Sequence, residues 1–312
     1  MIIFDDLEEI SKIPPTAIAL GNFDGVHLGH QKLIAEAVKL ADERGIKSAV
    51  FTFSNHPRDL IPGAEKVKNI LYRTEKAEVI ESLGIDYLFS IPFTKEIMGM
   101  TPERFIEELL VKKFNVQAAV CGFNYNFGYK AQGTPELLKE TGKKDGFDLI
   151  MIEPCKIDGN VVSSTLIRKL IAEGRMQDVK RYMGRPYIVA GEVVVGNKLG
   201  RKIGFPTMNL VIDDNMVTPP NGVYVTCCEI DGKLYPGITN VGVKPTIGKY
   251  NKNIETHLFN FNRDLYGNKI KVHFVKKMRE ERKFGSVSAL SEQIKNDCLD
   301  AERFHRDHGC IV

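Results

Sequence analysis

Gly21-Asn22-Phe23-Asp24-Gly25-Val26-His27-Leu28-Gly29-His30 is the stretch that decides the fold. Just before it, Ala17-Ile18-Ala19-Leu20 is an apolar run of strand length. Just after it, Leu33, Ile34, Ala37, Leu40 and Ala41 recur at helical spacing, and Gly45 stands in the usual stop position. A glycine-rich turn from strand to helix is where open parallel sheets hold ligands, because the free N–H groups and positive dipole end of the helix meet phosphate. Gly25 and Gly29 let the backbone come close. His27 and His30 are three apart, so turn or helical geometry aims both imidazoles at one anion, and such a pair suits charge stabilisation at phosphorus. A zinc site would need further ligands at credible spacing. A nucleotide-binding P-loop is excluded, because no G-x-x-x-x-G-K-[ST] string occurs.

Outward from this turn, the alternation repeats. Ser48–Phe53, Tyr87–Ile91, Ala118–Cys121 and Leu149–Ile152 read as strands. Helical patterns separate them at Thr74–Leu83, Pro102–Phe114 and from Pro135 to Thr141. Strands spaced by helices imply right-handed βαβ units on a parallel sheet. Two short helices, Ser164–Ala172 and Met176–Tyr182, precede Met183-Gly184-Arg185-Pro186, and beyond that point the helices nearly vanish. Val189–Val195, Val223–Ile230, Leu234–Thr239, Glu255–Phe261 and Ile270–Val275 read as strands, with Asp231-Gly232 as a type I′ hairpin signal. A last helix, Val287–His305, carries Leu290, Ile294, Cys298 and Ala301 as one stripe. The expected fold is therefore α/β plus mainly β: a Rossmann-like domain over residues 1–184, then a small antiparallel barrel with a closing helix over 185–312.

A second chemical stretch runs from Gly196 to Leu210. Glycines and the cations Lys198, Arg201 and Lys202 in a loop before a strand suit a phosphate-cradling flap. Thr207 and Asn209 are two apart, so in extended backbone both oxygens face one side. Hard oxygen donors beside ATP phosphates make a Mg²⁺ environment.

The first stretch resembles the prokaryotic FAD synthetase family of nucleotidylyltransferases. Three further segments are similar to motifs of that family: Phe51-Thr52-Phe53-Ser54-Asn55-His56-Pro57, Gly122-Phe123-Asn124-Tyr125-Asn126-Phe127-Gly128, and Val162-Ser163-Ser164-Thr165-Leu166-Ile167-Arg168. The C-terminal half resembles riboflavin kinases. That likeness rests on Gly200–Leu210, Pro220–Tyr224, Asn240–Thr246, Glu255-Thr256-His257, Asp264–Gly267, Met278-Arg279 and Lys283-Phe284.

The order of the motifs matches the bifunctional riboflavin kinase/FAD synthetase family. The resemblance implies that His27 and His30 stabilise the adenylyl transfer. Gly21, Phe23, Asp24, Gly29, Asn124, Ser163, Ser164, Thr165 and Arg168 would bind nucleotide in the first domain, and Gly196, Lys198, Gly200, Arg201 and Gly204 would do so in the second. Asn55, His56, Pro57 and Arg279 would contact flavin, Thr207 and Asn209 would hold Mg²⁺, and Glu255 would act as base. Ser163 or Ser164 also makes sense unaided as a helix cap, and Arg168 as a fixed cation. The implied substrates are riboflavin, FMN and ATP.

Two rival readings remain open at this stage. One is a transferase with another phosphorylated acceptor, since H-x-G-H alone does not select FMN. The other is a flavin-sensing binder that turns over no ATP. Composition narrows the field. The 312 residues are 43% hydrophobic, enough for real cores, and 43 Lys+Arg against 40 Asp+Glu give a net charge of +3. That balance argues against a dedicated nucleic-acid binder. No run reaches membrane-span length, and the acidic start Met1-Ile2-Ile3-Phe4-Asp5-Asp6 lacks the basic region of a signal peptide. A cytoplasmic protein without membrane partner is expected, with self-association left open. The six cysteines, none in a C-x-x-C pair, are expected as reduced, mostly buried thiols, and the adjacent Cys227 and Cys228 should point to opposite strand faces.

Overall fold

The structure is a computed structural model. It describes all residues except 61, 62, 64, 197–199, 201, 202, 247, 248, 311 and 312, and gives backbone alone for 244–246 and 249–251. The expected sites Lys198 and Arg201 lie outside the described residues. The chain divides into two compact units: Met1–Val67 with Arg73–Ser163, and Lys68–Tyr72 with Ser164–Val312.

The first unit is a six-stranded, wholly parallel sheet in the order β1-β4-β3-β2-β5-β6. The strands are β1 (Ile2–Phe4), β2 (Thr16–Leu20), β3 (Lys47–Phe53), β4 (Tyr87–Ile91), β5 (Val116–Gly122) and β6 (Asp148–Ile152). The central strand β2 is buried along its whole length, as a strand covered on both faces must be. The chain moves outward from β2 through β3 and β4, then returns to lay β5 on the other side of β2. The sheet's switch point thus lies at the carboxyl ends of β2 and β5, where doubly wound sheets bind ligands. Helix α1 (Leu28–Arg44) buries the expected Leu33, Ile34, Ala37, Leu40 and Ala41. It ends at Gly45, whose φ of 65° is the left-handed conformation that favours glycine. Helix α2 (Arg73–Ser82) follows β3 and matches the expected helical stretch.

Three elements were not legible in the sequence. The edge strand β1 is only three residues long. The two-residue strands β7 (Lys156–Ile157) and β8 (Asn160–Val161) form a small hairpin. The predicted helix at Pro102–Phe114 starts as an α-turn over Pro102–Arg104 but continues as a π-helix over Phe105–Lys113, where Phe114 N–H donates to the Leu109 carbonyl at 2.8 Å. The wider turn still buries Phe105, Ile106, Leu109 and Leu110.

The second unit is built on a closed antiparallel barrel in the order β10-β13-β12-β11-β14-β9. Its strands are β9 (Tyr187–Val194), β10 (Met208–Val211), β11 (Gly222–Ile230), β12 (Lys233–Thr246), β13 (Lys249–Leu258) and β14 (Lys269–Arg279). The expected turn is present: Ile230 pairs with Lys233 across Asp231 and Gly232, both at positive φ. Inside the barrel the hydroxyls of Thr226, Thr239 and Thr256 form a chain at 2.8 and 2.7 Å, so three fully buried polar groups satisfy one another. Outside, the helix Val287–His308 covers Val223, Val225, Ile238 and Phe259 with Ile294, Cys298, Ala301 and Phe304.

The expectation for the cysteines fails at one pair. Cys227 is bonded to Cys310, while Cys121, Cys155, Cys228 and Cys298 are free and buried. Cys227 continues the outward stripe of Val223 and Val225 beneath the helix, and the chain leaving the helix brings residue 310 back to it. That proximity follows from helix docking over 83 residues of separation, which no local spacing displays.

Candidate active sites

In the first unit, the ends of three neighbouring strands carry three of the motifs. Residues 21–30 follow β2, residues 54–57 follow β3, and residues 123–128 follow β5. Phe23 and Val26 take positive φ (47° and 37°), an uncommon conformation for residues with side chains. Both are fully buried, so packing holds the turn. His27 is the N-cap of α1: its Nδ1 accepts from the His30 backbone N–H at 3.2 Å. Its ring stacks on that of His30 with centroids 3.6 Å apart, and the ring of Phe23 lies 5.1 Å from that of His30. Two imidazoles thus stand together at the first turn of a helix, as the three-residue spacing suggested. A Cβ on Gly29 would come within 3.2 Å of the His27 ring, and one on Gly21 within 3.2 Å of the Phe23 ring. Both glycines therefore serve close approach.

Sequence reasoning missed Lys76. This lysine on α2 is only 9% exposed. Its Nζ donates to Thr52 Oγ1 (3.3 Å) and to the Phe53 carbonyl (3.1 Å), and Thr52 Oγ1 donates to the Asn22 carbonyl at 2.8 Å. Burial lowers its pKa to about 8, against the opposing pull of buried Asp24. A lysine in an amphipathic helix reads as solvated, and only the packing reveals it under the H-x-G-H turn.

Asn55, His56 and Pro57 follow β3, and Asn124 follows β5. Asn55 is tied to the backbone of residue 93, accepting from Phe93 N–H (2.7 Å) and donating to its carbonyl (3.2 Å). His56 Nδ1 accepts from Arg58 N–H at 3.1 Å, and Pro57 opens a 3-10 turn, Pro57–Leu60. Asn124 is exposed on the loop after β5, where its carbonyl accepts from Asn126 Nδ2. Ser163 is the last residue of the first unit. Ser164, Thr165 and Arg168 belong to the second, in which Arg168 Nε donates to the Lys68 carbonyl at 2.8 Å.

In the second unit, strand register assembles the site. Asn209 on β10 lies opposite Glu255 on β13, and Glu255 lies opposite Asn240 on β12, so three polar residues stand abreast on the outer barrel face. Asn253, buried and two residues before Glu255, joins two of them: its Nδ2 donates to Asn209 Oδ1 at 3.0 Å and to Glu255 Oε1 at 3.1 Å. The sequence reading did not include Asn253. Its alternation with Glu255 was the available signal, since residues i and i+2 of a strand share a face.

Gly196 and Gly200 lie close to these side chains. A Cβ on Gly196 would come within 2.6 Å of Asn209 Cγ, and one on Gly200 within 3.3 Å of Thr207 Oγ1. Gly204 has a φ of 88° with open space around it, so its need is conformational. Beside Thr207 opens a cavity of about 340 Å³, lined in part by Met208, Thr256, Arg263, Asp264 and Tyr266. The Arg279 guanidinium grips Asp297 of the covering helix, with Nε at 3.0 and 3.1 Å and Nη2 at 2.6 Å. The contact fastens helix to barrel.

The pattern of the FAD synthetase family matches residues 9–166, and that of riboflavin kinase matches residues 183–305. The bifunctional riboflavin kinase/FMN adenylyltransferase of Bacillus subtilis is 37% identical over 93% of this chain and 92% of its own. The chain belongs to the family of bifunctional riboflavin kinase/FMN adenylyltransferases. The family member of Escherichia coli K12 is 32% identical, covering 97% of this chain and 98% of its own. A crystal structure from Streptococcus pneumoniae, called a macrolide-efflux protein, superimposes with a TM-score of 0.88 at 31% identity, over 97% of this chain and 98% of that one. Among the described residues of the present family member, no helix is long and apolar enough to cross a membrane.

Proposed function

We propose that the chain carries two successive ATP-dependent transfers on one flavin, with the functional boundary at residues 184/185. In the barrel, the ribityl 5′-hydroxyl of riboflavin attacks the γ-phosphorus of ATP, giving FMN and ADP. In the parallel-sheet unit, the phosphate of FMN attacks the α-phosphorus of a second ATP, giving FAD and pyrophosphate. Both family patterns and the names of the full-length relatives support this pair of activities, with the adenylyl transfer in the N-terminal part of the chain and the kinase in the C-terminal part.

The observation that carries the reading is the Asn209–Asn253–Glu255 cluster, which Gly196 approaches at Asn209. Glu255 is the base that accepts the proton of the 5′-hydroxyl, and the Asn253 amide holds its Oε1 for that task. Oxygen donors on Thr207 and Asn209, beside a carboxylate, fit a hard cation such as Mg²⁺. Asn209 presents an oxygen oriented by Asn253. Mg²⁺ held by Thr207 and Asn209 would supply screening of phosphate charge. The glycines at 196 and 200 let the backbone N–H groups of the loop reach phosphate oxygens without a side chain between.

In the first unit, the attacking FMN phosphate is already ionised, so the step needs alignment and charge stabilisation more than a base. His27 and His30, at the positive end of α1, are placed for that role, and buried Lys76 adds charge beneath the turn. The test is chromatographic separation of FMN and FAD formed from riboflavin, ATP and Mg²⁺. Wild type should make both, His30→Ala should stop at FMN, and Glu255→Ala should convert added FMN to FAD but not riboflavin to FMN. Loss of both activities in either folded variant would refute the division of labour. A protein that binds flavin yet consumes no ATP would leave only the binding-module reading.

A further inference from the structure

Away from both sites, three metal-type donors converge where the last helix leaves the barrel. Cys227 on β11 is fully buried, Cys310 follows the helix, and His305 lies in the helix's last turn at 8% exposure. One donor atom from each lies within 4.8 Å of those of the other two. His305 Nε2 sits 3.3 Å from the Gly237 carbonyl, while its buried Nδ1 has no hydrogen-bond partner. The ring is wedged edge-on against Phe259 and Phe304, with centroids 6.1 and 6.2 Å away, so it has little freedom to turn outward. A buried polar atom without a partner is costly, and a native protein that keeps one calls for a ligand or a chemical role. Neither phosphoryl transfer uses these residues.

The donor set is specific. Two sulfurs and one imidazole nitrogen, with the second ring nitrogen on a backbone carbonyl, is the arrangement that holds zinc-type cations and fixes the histidine tautomer. Hard cations such as Mg²⁺ prefer oxygen and are poorly served here. In the structure the two sulfurs are joined. We propose that, once this disulfide is reduced, Cys227 Sγ, Cys310 Sγ and His305 Nδ1 bind a Zn²⁺ ion whose fourth position is left to water. A dithiol reductant supplies the two electrons and two protons: the S–S bond breaks, two S–H bonds form, and the dithiol becomes a disulfide. Metal binding then releases the two thiol protons to solvent, because thiolate is the ligand. The helix end is thereby clasped to β11 in both states, by a covalent bond when oxidised and by a metal when reduced. The helix so held carries Asp297, which grips Arg279 at the end of β14.

The test uses the full-length protein, reduced under anaerobic conditions and desalted, with Zn²⁺ or Co²⁺ added alone. Reduced wild type should retain one equivalent of Zn²⁺ through gel filtration. With Co²⁺ it should show a thiolate-to-cobalt charge-transfer band and the intense visible bands of a tetrahedral ion. The oxidised protein should retain none. Cys310→Ser and His305→Gln should each weaken Zn²⁺ binding at least about 100-fold, the upper end of what losing a mere outer partner costs, whereas Cys298→Ser should bind like wild type. Cys310 is half-buried in the tail, so its replacement keeps the test valid should the other variant fold poorly. The proposal is overturned if the reduced wild type holds no more zinc than Cys310→Ser. Weak octahedral cobalt bands without charge transfer, or a disulfide that survives dithiol treatment of the native protein, would overturn it equally.

Discussion

The parallel sheet and the barrel meet the same demand, control of a triphosphate, with opposite materials. The first unit places its chemistry where strands end: a helix N-terminus, two stacked imidazoles and a buried ammonium gather at the switch point. The barrel has no such crevice, because its strands close on themselves. It uses a face, on which neutral amides and one carboxylate stand abreast on neighbouring strands beside Gly196. An end-of-strand site can be written in ten consecutive residues. A face site is written across strands, with Asn209 and Asn253 separated by 44 positions.

The sharpest way to break this comparison is to disable one site and watch the other. His30→Ala removes one of the two groups proposed to steady developing charge, and Glu255→Ala removes the proposed proton acceptor. Each should cost about 10²–10⁴-fold in its own step and leave the other within a few-fold, measured by chromatography of FMN and FAD with either riboflavin or FMN supplied. Crossed losses in folded variants would mean that the two units do not work independently.

Charge gives the next contrast, because among the described residues only the sheet unit buries a lysine beside its site. Lys76 titrates near 8 in the folded protein, against 10.5 for the free side chain. Between those values the unfolded chain binds a proton that the folded chain lacks, so this group makes stability rise with pH, by about 3 kcal/mol at most. In Lys76→Met that rise should be missing from urea unfolding of the sheet unit followed from pH 8 to pH 10.5, while the barrel transition stays as in wild type. Identical pH slopes for variant and wild type would show that Lys76 is more solvated than its position implies.

These contrasts also explain what the sequence could and could not reveal. The sheet unit was legible because its strands, α1 and the H-x-G-H turn are local patterns: the buried run Ala17–Leu20, the stripe from Leu33 to Ala41, and Gly45 at the stop. The barrel was legible as a set of strands; Thr207 and Asn209 were singled out by spacing and family likeness, and Glu255 by likeness alone. Three features escaped because they arise only from packing. Lys76 is polar on a helix whose burial depends on β3. Asn253 matters through the register that sets it beside Asn209. The Cys227–Cys310 bond depends on where the last helix docks. Arg279 lies within a family motif, and its ion pair with Asp297 of the last helix is a further contact that only packing reveals.

The glycine loop offers a smaller and more local effect. A Cβ at position 196 would strike the Asn209 amide, and the displacement of this proposed cation ligand should be felt in the kinase step alone. Gly196→Ala should therefore lower FMN formation by about 10–100-fold, in keeping with the 1–3 kcal/mol that overpacking costs. It should also raise the Mg²⁺ concentration needed for half-maximal rate. Gly204→Ala probes conformation instead, since nothing lies within 4 Å of its Cβ position. Its effect should appear in the KM for ATP, with the Mg²⁺ requirement unchanged. Equal behaviour of the two variants in a Mg²⁺ titration would dissolve the distinction between close approach and backbone freedom.

The smallest effect tests whether the face site is organised by Asn253 or merely contains it. Asn253→Leu keeps the volume but removes the donor shared by Asn209 Oδ1 and Glu255 Oε1. Losing such hydrogen bonds costs about 1–2 kcal/mol, so kcat for FMN formation should fall roughly tenfold with little change in the riboflavin KM. Asn253→Asp is the more telling variant, because it sets a second carboxylate beside Glu255 and like charge raises a carboxyl pKa. The acidic limb of the FMN-formation pH profile should then move to higher pH, as expected when the base keeps its proton longer. A residue that only fills space would lower the unfolding temperature in both variants and leave that limb where wild type has it. FAD formation from added FMN, carried by the sheet unit, should stay unchanged in both, so a shift confined to the kinase limb would mark Asn253 as the group that positions the base.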